Sequence, residues 1–272
     1  MKNRLLSALF ILVLLCFFHA ASHAVPFDNL VVFGDSLSDN GNIGRFTDGA
    51  IWVETLAESF GANLYDFAYG GATTGYDNPA AGLPITGLQW QLDTYLPFVL
   101  GNGIMDDDTL FTVWAGANDF IQGRSFVDAA DNIGMALDTL DTAGATDILV
   151  GNLPNIGMTP AFFGTPSQEG ATAWTQGFNC SLASVLAGFD SSYSNVNLYL
   201  LDAYGLFSEF TPLTQDWAEL FWFDGFHPSS EGHQLLSQNA AAAVSPVPEP
   251  ATMFLVGTGL FVLAGIRRRI NT

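Results

Sequence analysis

Two short segments hold residues whose types and spacing suit nucleophilic chemistry. Gly34-Asp35-Ser36-Leu37 closes an apolar run, Leu30 to Phe33, and so places a serine at the carboxyl end of a candidate strand. That is the edge at which an open α/β sheet binds its ligands. Far downstream, Asp224-Gly225-Phe226-His227 sets a carboxylate and an imidazole three residues apart. A serine hydroxyl is a poor nucleophile until a base takes its proton, and the base works best when a carboxylate orients its other ring nitrogen. Of the four histidines, two lie in the first 24 residues, which leaves His227 and His233 as bases. The carboxylate of Asp224 favours His227, whereas His233, beside Gly232 in an expected helix, reads as a packing or capping residue. Ser36, His227 and Asp224 therefore predict acyl transfer through a covalent serine intermediate, with no cofactor required.

Such residues need elements to bring them together. Apolar runs bounded by turn residues predict strands at Leu30 to Phe33, Leu64 to Ala68, Leu110 to Ala115, Ile148 to Gly151 and Val196 to Leu201. Helical spacing predicts helices at Ile51 to Phe60, stopped by Gly61, and at Leu88 to Leu100, bent near Pro97. Further helices are predicted at Phe126 to Ala143, stopped by Gly144, near Thr172 to Leu186, and at Ser230 to Ala243. Alternation of this kind predicts a parallel sheet covered by helices on both faces. Ser36 follows the first strand, Gly70-Gly71-Ala72-Thr73-Thr74 the second, and Gly116-Ala117-Asn118-Asp119 the third, so a doubly wound sheet would gather all three on one edge.

Four blocks in order make the chain resemble GDSL-type hydrolases of the SGNH superfamily over roughly residues 27 to 243. They are Gly-Asp-Ser-Leu-Ser-Asp at 34 to 39, Ala68-Tyr69-Gly70-Gly71, Gly-Ala-Asn-Asp at 116 to 119, and Asp224-Gly225-Phe226-His227-Pro228. The resemblance implies a three-layer α/β/α sandwich with a doubly wound, flavodoxin-like parallel five-stranded sheet. It also implies Ser36 as nucleophile, with the Ser36 and Gly71 backbone N–H groups and the Asn118 side-chain amide as the oxyanion hole. Hydrolysis of carboxylic esters without metal or cofactor follows from it. Asp35 and Asp39 are expected to brace the nucleophile loop, and Pro228 to open the first turn of the helix after His227. One departure is Asp66, where the second block usually carries asparagine, which bears on how the glycine loop is held. No Gly-x-Ser-x-Gly elbow occurs, which disfavours the common α/β-hydrolase arrangement.

Both termini carry signals. Lys2 and Arg4, an apolar stretch from Leu5 to Phe18 and the small residues around Ser22-His23-Ala24 predict a secretory leader over 1–24, a substrate for signal peptidase. At the other end Pro246-Val247-Pro248-Glu249-Pro250 precedes an uncharged apolar stretch, 251–266, and then Arg267-Arg268-Arg269. Sixteen helical residues cover about 24 Å of a ~30 Å hydrocarbon core, and the arginines would keep the preceding domain outside. This tail, 246–272, reads either as a permanent single-span anchor or, as its proline motif suggests, as a signal that resembles the PEP-CTERM sorting signal, whose partner is an exosortase. Residues 25–245 then form one hydrolase domain.

Residues 25 to 250 hold only Arg45 and Arg124 against 27 acidic residues, a formal charge of −25. Such a body repels nucleic acid and other polyanions. Its charge suits solubility outside the cell better than a specific cationic partner. Asp106-Asp107-Asp108 lacks the ligand spacing of a calcium loop and reads as a solvated turn. Without the leader, Cys180 is the only cysteine, so packing rather than a disulfide must hold the domain. Expected substrates are neutral lipids, short-chain esters or acetylated glycans, with Phe162-Phe163, Trp174 and Phe221-Trp222-Phe223 as candidate walls of an acyl pocket. A different class of reading, an inactive surface-displayed binding module on the same fold, has against it that every reacting group is present.

Overall fold

The computed structural model describes residues 27–245 apart from 81, 83, 84, 194, 222 and 223. Five strands, β1 (Asn29–Gly34), β2 (Asn63–Asp66), β3 (Thr109–Trp114), β4 (Asp147–Gly151) and β5 (Asn197–Leu201), form one parallel sheet in the order β2-β1-β3-β4-β5. Every residue of β1, β3 and β4 is buried. That burial explains why these segments are near-continuous apolar runs rather than alternating ones, since a parallel strand between two helical layers has no wet face. The edge strands β2 and β5 are mostly half-exposed. Register pairs Val31 of β1 with Tyr65 on one side and Phe111 on the other.

Eight α-helices connect and cover the sheet: α1 (Trp52–Phe60), α2 (Leu88–Gly101), α3 (Ala117–Ile121), α4 (Phe126–Ala143), α5 (Gln168–Ser192), α6 (Ala203–Ser208), α7 (Gln215–Glu219) and α8 (Ser230–Val244) among the described residues. Helix α1 packs on α8, and α4 packs on both α2 and α5, so the sheet lies between two helical layers. The chain leaves β1 toward β2 and then returns to place β3 on β1's other flank. This reversal opens a crevice at the carboxyl ends of β1 and β3.

Gly61 and Gly144 end α1 and α4 with positive φ, as their sequence positions predict. Helix α5 is much longer than expected. Within it, Gly177 lets the Phe126 ring approach so closely that a Cβ there would lie 2.9 Å from it. Pro228 does not open the last helix. Ser229 caps α8 by accepting from Gly232 N–H, and Pro228 precedes the cap, where it bridges to Phe221. Helices α3, α6 and α7 and a 3-10 turn at Ile156–Met158 are absent from the sequence reading. Each is too short to show helical periodicity, and α6 and α7 depend on side-chain caps from Asp202 and Thr214.

The leader at 1–24 and the tail at 246–272, with its apolar stretch 251–266, lie outside the described residues. Among the described residues no helix is long and apolar enough to cross a membrane.

Candidate active site

Loops from both ends of the chain meet in the crevice. Ser36 follows β1 and is 6% exposed, and its hydroxyl oxygen lies 2.7 Å from Nε2 of His227, which the segment before α8 carries. Nδ1 of His227 is 2.5 Å from Oδ2 of Asp224. The other oxygen, Oδ1, accepts from the backbone N–H of Phe226 at 2.9 Å and of His227 at 3.0 Å, which fixes the Asp-to-His turn. Because an ionised carboxylate only accepts, Nδ1 carries the ring hydrogen and Nε2 is left to accept from the serine. Partial burial pushes the Asp224 pKa up, but hydrogen bonds from the imidazole and from two backbone N–H groups outweigh it and hold the carboxyl below its usual range.

The second and third loops lie alongside. Gly71 has φ +84°, a conformation glycine adopts without steric cost. The backbone N–H groups of Ser36 and Gly71 donate to no other group among the described residues. Asn118, in the first turn of α3 and 8% exposed, directs its amide to the Ala72 carbonyl at 3.0 Å and to Oδ2 of Asp35 at 3.3 Å. The structure thus brings together all five residues singled out in sequence: Ser36, Gly71, Asn118, Asp224 and His227.

Carboxylates lace these loops to one another. Asp35 Oδ1 accepts from Leu37 N–H, and burial, reinforced by the nearby Asp119 charge, pushes the Asp35 pKa up to about 7. Asp39 accepts from the N–H groups of Gly41, Asn42 and Ile43 and, across loops, from that of Gly70 at 2.7 Å. Both aspartates brace the nucleophile loop, as expected. Asp66, the departure in the second block, takes Asn40 N–H and Ala68 N–H, and burial raises its pKa well above the usual value. Asparagine would offer one acceptor oxygen there, whereas the carboxyl uses both. Asp119 holds Thr74 through its N–H and its hydroxyl, tying α3 to the glycine loop.

Two further supports lie behind the site, of which the first carries no sequence signal. The Gln91 side chain of α2 accepts from Gly34 N–H at 2.9 Å and donates to Gly34 C=O at 2.8 Å, clamping the end of β1. His233 is 1% exposed, and its Nδ1 accepts from Trp52 N–H at the start of α1. It packs and caps, as its position suggests, though the helix it caps is a different one. Burial drives its pKa down to about 3.

The cleft over Ser36 has a volume of about 430 Å³. Beyond Ser36, Gly70, Gly71, Asn118 and His227, its walls among the described residues are Ile43, Phe46, Ala80, Ile121 and Phe226. Of the aromatics expected as walls, the described ones, Phe162, Phe163, Trp174 and Phe221, do not line it. Phe162 packs behind Phe226, Trp174 stacks on Phe178 and donates to the Arg124 carbonyl, and Phe221 borders a separate hollow with Phe207 and Trp217. Trp222 and Phe223 fall outside the described residues. The walls among the described residues come from segments whose apolar residues look like ordinary loop or helix positions until the chain folds. Among the described residues no cluster of three or more His, Cys, Asp or Glu could hold a metal ion. Asp106 closes a local turn onto Asp108 and Thr109.

Comparison with known proteins agrees with this fold. A family model described as GDSL-like Lipase/Acylhydrolase matches residues 30–240, and a PEP-CTERM protein-sorting motif matches residues 246–269. The chain is 31% identical over 164 residues to a phosphatidylcholine-sterol acyltransferase of Aeromonas hydrophila, covering 52% of this chain and 49% of that protein. It is 30% identical over 168 residues to the thermolabile hemolysin of Vibrio parahaemolyticus, covering 55% of this chain and 39% of that protein. The chain thus spans half or less of the length of these relatives. Among solved structures, the lipase Lip_vut3 from a goat rumen metagenome superposes with a TM-score of 0.55 at 21% identity, covering 80% of this chain and 98% of that one, a likeness of fold.

Proposed function

The chain belongs to the GDSL-like lipase/acylhydrolase family, and from that premise we propose that it is an exported serine esterase that works through an acyl-enzyme. Ser36 attacks the ester carbonyl while His227 takes its proton, and Asp224 stabilises the imidazolium that forms. His227 then gives the proton to the leaving alcohol, and water repeats the sequence on the Ser36 ester to release the acid. The observation that carries this reading is the continuous hydrogen-bonded line from Ser36 Oγ through both ring nitrogens of His227 to Asp224.

The uncommitted N–H groups of Ser36 and Gly71 support an oxyanion hole. The Asn118 amide is its third donor, releasing the longer of its two contacts, that to Asp35, as the oxyanion forms. The apolar cleft and the acidic body favour neutral esters. A leader over 1–24, a hydrolase domain over 25–245 and a sorting tail over 246–272 make the chain a substrate of signal peptidase and of an exosortase, at least transiently anchored through 251–266.

A fluorophosphonate probe incubated with the purified full chain should label Ser36 and block hydrolysis of p-nitrophenyl butyrate. Ser36→Ala should lose both. Labelling at another residue, or hydrolysis that survives the substitution, would reject the assignment.

A further inference from the structure

The chemistry of the proposed reaction says which part of the substrate each wall meets. Nε2 of His227 must reach the leaving oxygen to hand over its proton, so the alcohol of the ester lies against whatever flanks the imidazole. Among the described residues two phenylalanines flank it. The Phe46 ring lies 5.1 Å from the imidazole at 32°, and the Phe226 ring lies 5.2 Å away at 87°. Ile121, by contrast, follows Asn118 by three residues on α3 and belongs to the oxyanion side of the cleft.

Phe46 is held in place. A Cβ on Gly70 would lie 2.3 Å from its ring, so the bare glycine is what lets the ring sit over the second loop. On one side of it in sequence, Arg45 bonds the carbonyls of Asn40 and Gly49 and pairs with Glu54. On the other, Asp48 accepts from Ser230 N–H at 2.7 Å, at the start of the helix that follows His227. The loop bearing Phe46 is thus tied to the segment bearing the base.

Among the described residues no Lys, Arg, Asp or Glu side chain lines the cleft. Both arginines of the described residues are committed to carboxylates, Arg45 to Glu54 and Arg124 to Asp77. Among the described residues nothing on the alcohol side is placed to pair with a phosphate or carboxylate, whereas two aromatic faces set at different angles suit a ring by stacking and edge contact.

Resting on the serine esterase reading, the geometry points to Phe46 as the residue that selects the alcohol half of the substrate, with esters of uncharged, apolar cyclic alcohols as the preferred class. The test uses the full chain and two ester series, one with a butyryl group on ethyl, cyclohexyl and phenyl alcohols, the other with p-nitrophenol esters from acetate to decanoate. Phe46→Ala should lower kcat/KM for the cyclic-alcohol esters relative to the ethyl ester by about tenfold against the wild type, and leave the acyl-length ranking unchanged. Phe46→Leu should fall between the two. An unchanged alcohol preference, or an acyl ranking that shifts as much, overturns the assignment. If Phe46→Ala no longer takes the fluorophosphonate, Phe46→Leu carries the comparison on the same two criteria. Hydrolysis that persists in Ser36→Ala would instead sink the underlying reading of the site.

Discussion

The side-chain amide of Asn118 reaches the carboxyl of Asp35, 83 residues earlier in the chain, at 3.3 Å, and the Ala72 carbonyl at 3.0 Å. One amide thereby spans the loops that follow β1, β2 and β3. Its longer bond is the one an oxyanion can replace at least cost. Removing the amide in Asn118→Ala should lower kcat by about 100- to 1,000-fold with little change in KM. Single-turnover kinetics on p-nitrophenyl butyrate check this, and a loss confined to KM would place Asn118 in ground-state binding instead.

The same Asp35 predicts how stability responds to pH. Its folded pKa, pushed up to about 7 by burial, exceeds the ordinary value of 3.8. The folded protein therefore holds this proton more tightly than the unfolded chain does. The stabilising contribution is present below about pH 4 and is lost as pH rises toward 7, by up to about 4 kcal/mol. Replacing Asp35 by Asn removes that titration, so the difference in unfolding free energy between the variant and the wild type should move in favour of the variant from pH 4 to pH 7.5. Urea unfolding at several pH values measures it, and a difference that stays flat would contradict the buried titration.

His233 predicts the opposite slope. Its folded pKa, lowered by burial to about 3, lies below the ordinary 6.5, so stability present above pH 6.5 is lost as pH falls toward 3. Its Nε2 is buried without a partner among the described residues, and its Nδ1 must stay unprotonated to accept from Trp52. His233→Gln should be less stable than the wild type at pH 7.5, by about 1 to 3 kcal/mol, and should close that gap on acidification to pH 4.5. Thermal unfolding at the two pH values reads the change.

Gly70 and Phe46 compete for one space. An alanine at 70 would put its Cβ 2.3 Å from the Phe46 ring while the Gly70 N–H remains bonded to Asp39. Gly70→Ala should cost about 1 to 3 kcal/mol of stability through overpacking and lower activity along with it. Adding Phe46→Ala should return most of the lost stability, a coupling that a double-mutant cycle resolves. If the two costs simply add, the clash is not what Gly70 avoids.

Much of the fold was legible because its determinants are local. β1, β3 and β4 are buried on both faces and therefore appear as apolar runs, and Gly61 and Gly144 end helices by a conformation few other residues tolerate. The short elements were not legible. Helix α3 spans five residues with Gly116 as its N-cap, and nothing in its own spacing marks it as helical. Length misled in the other direction at α5, which runs four residues before and six residues beyond the expected Thr172 to Leu186. Within the site, Ser36, Gly71, Asn118, Asp224 and His227 were legible from residue type, loop position and resemblance. The lining by Phe46, Ile43, Ile121, Ala80 and Phe226, and the Gln91 clamp on Gly34, were not.

By itself, the sequence determined which groups can react, that they fall at carboxyl ends of strands, and that the body is strongly acidic, because residue type, periodicity and charge are properties of short stretches of chain. Tertiary structure alone decided that an imidazole 191 residues away stands 2.7 Å from the Ser36 hydroxyl, that Asp35 is buried enough to keep a proton near neutrality, and which aromatics face the cleft. Those outcomes depend on distance, desolvation and shape, which exist only once the sheet order β2-β1-β3-β4-β5 has brought remote loops to one edge and closed water out around them.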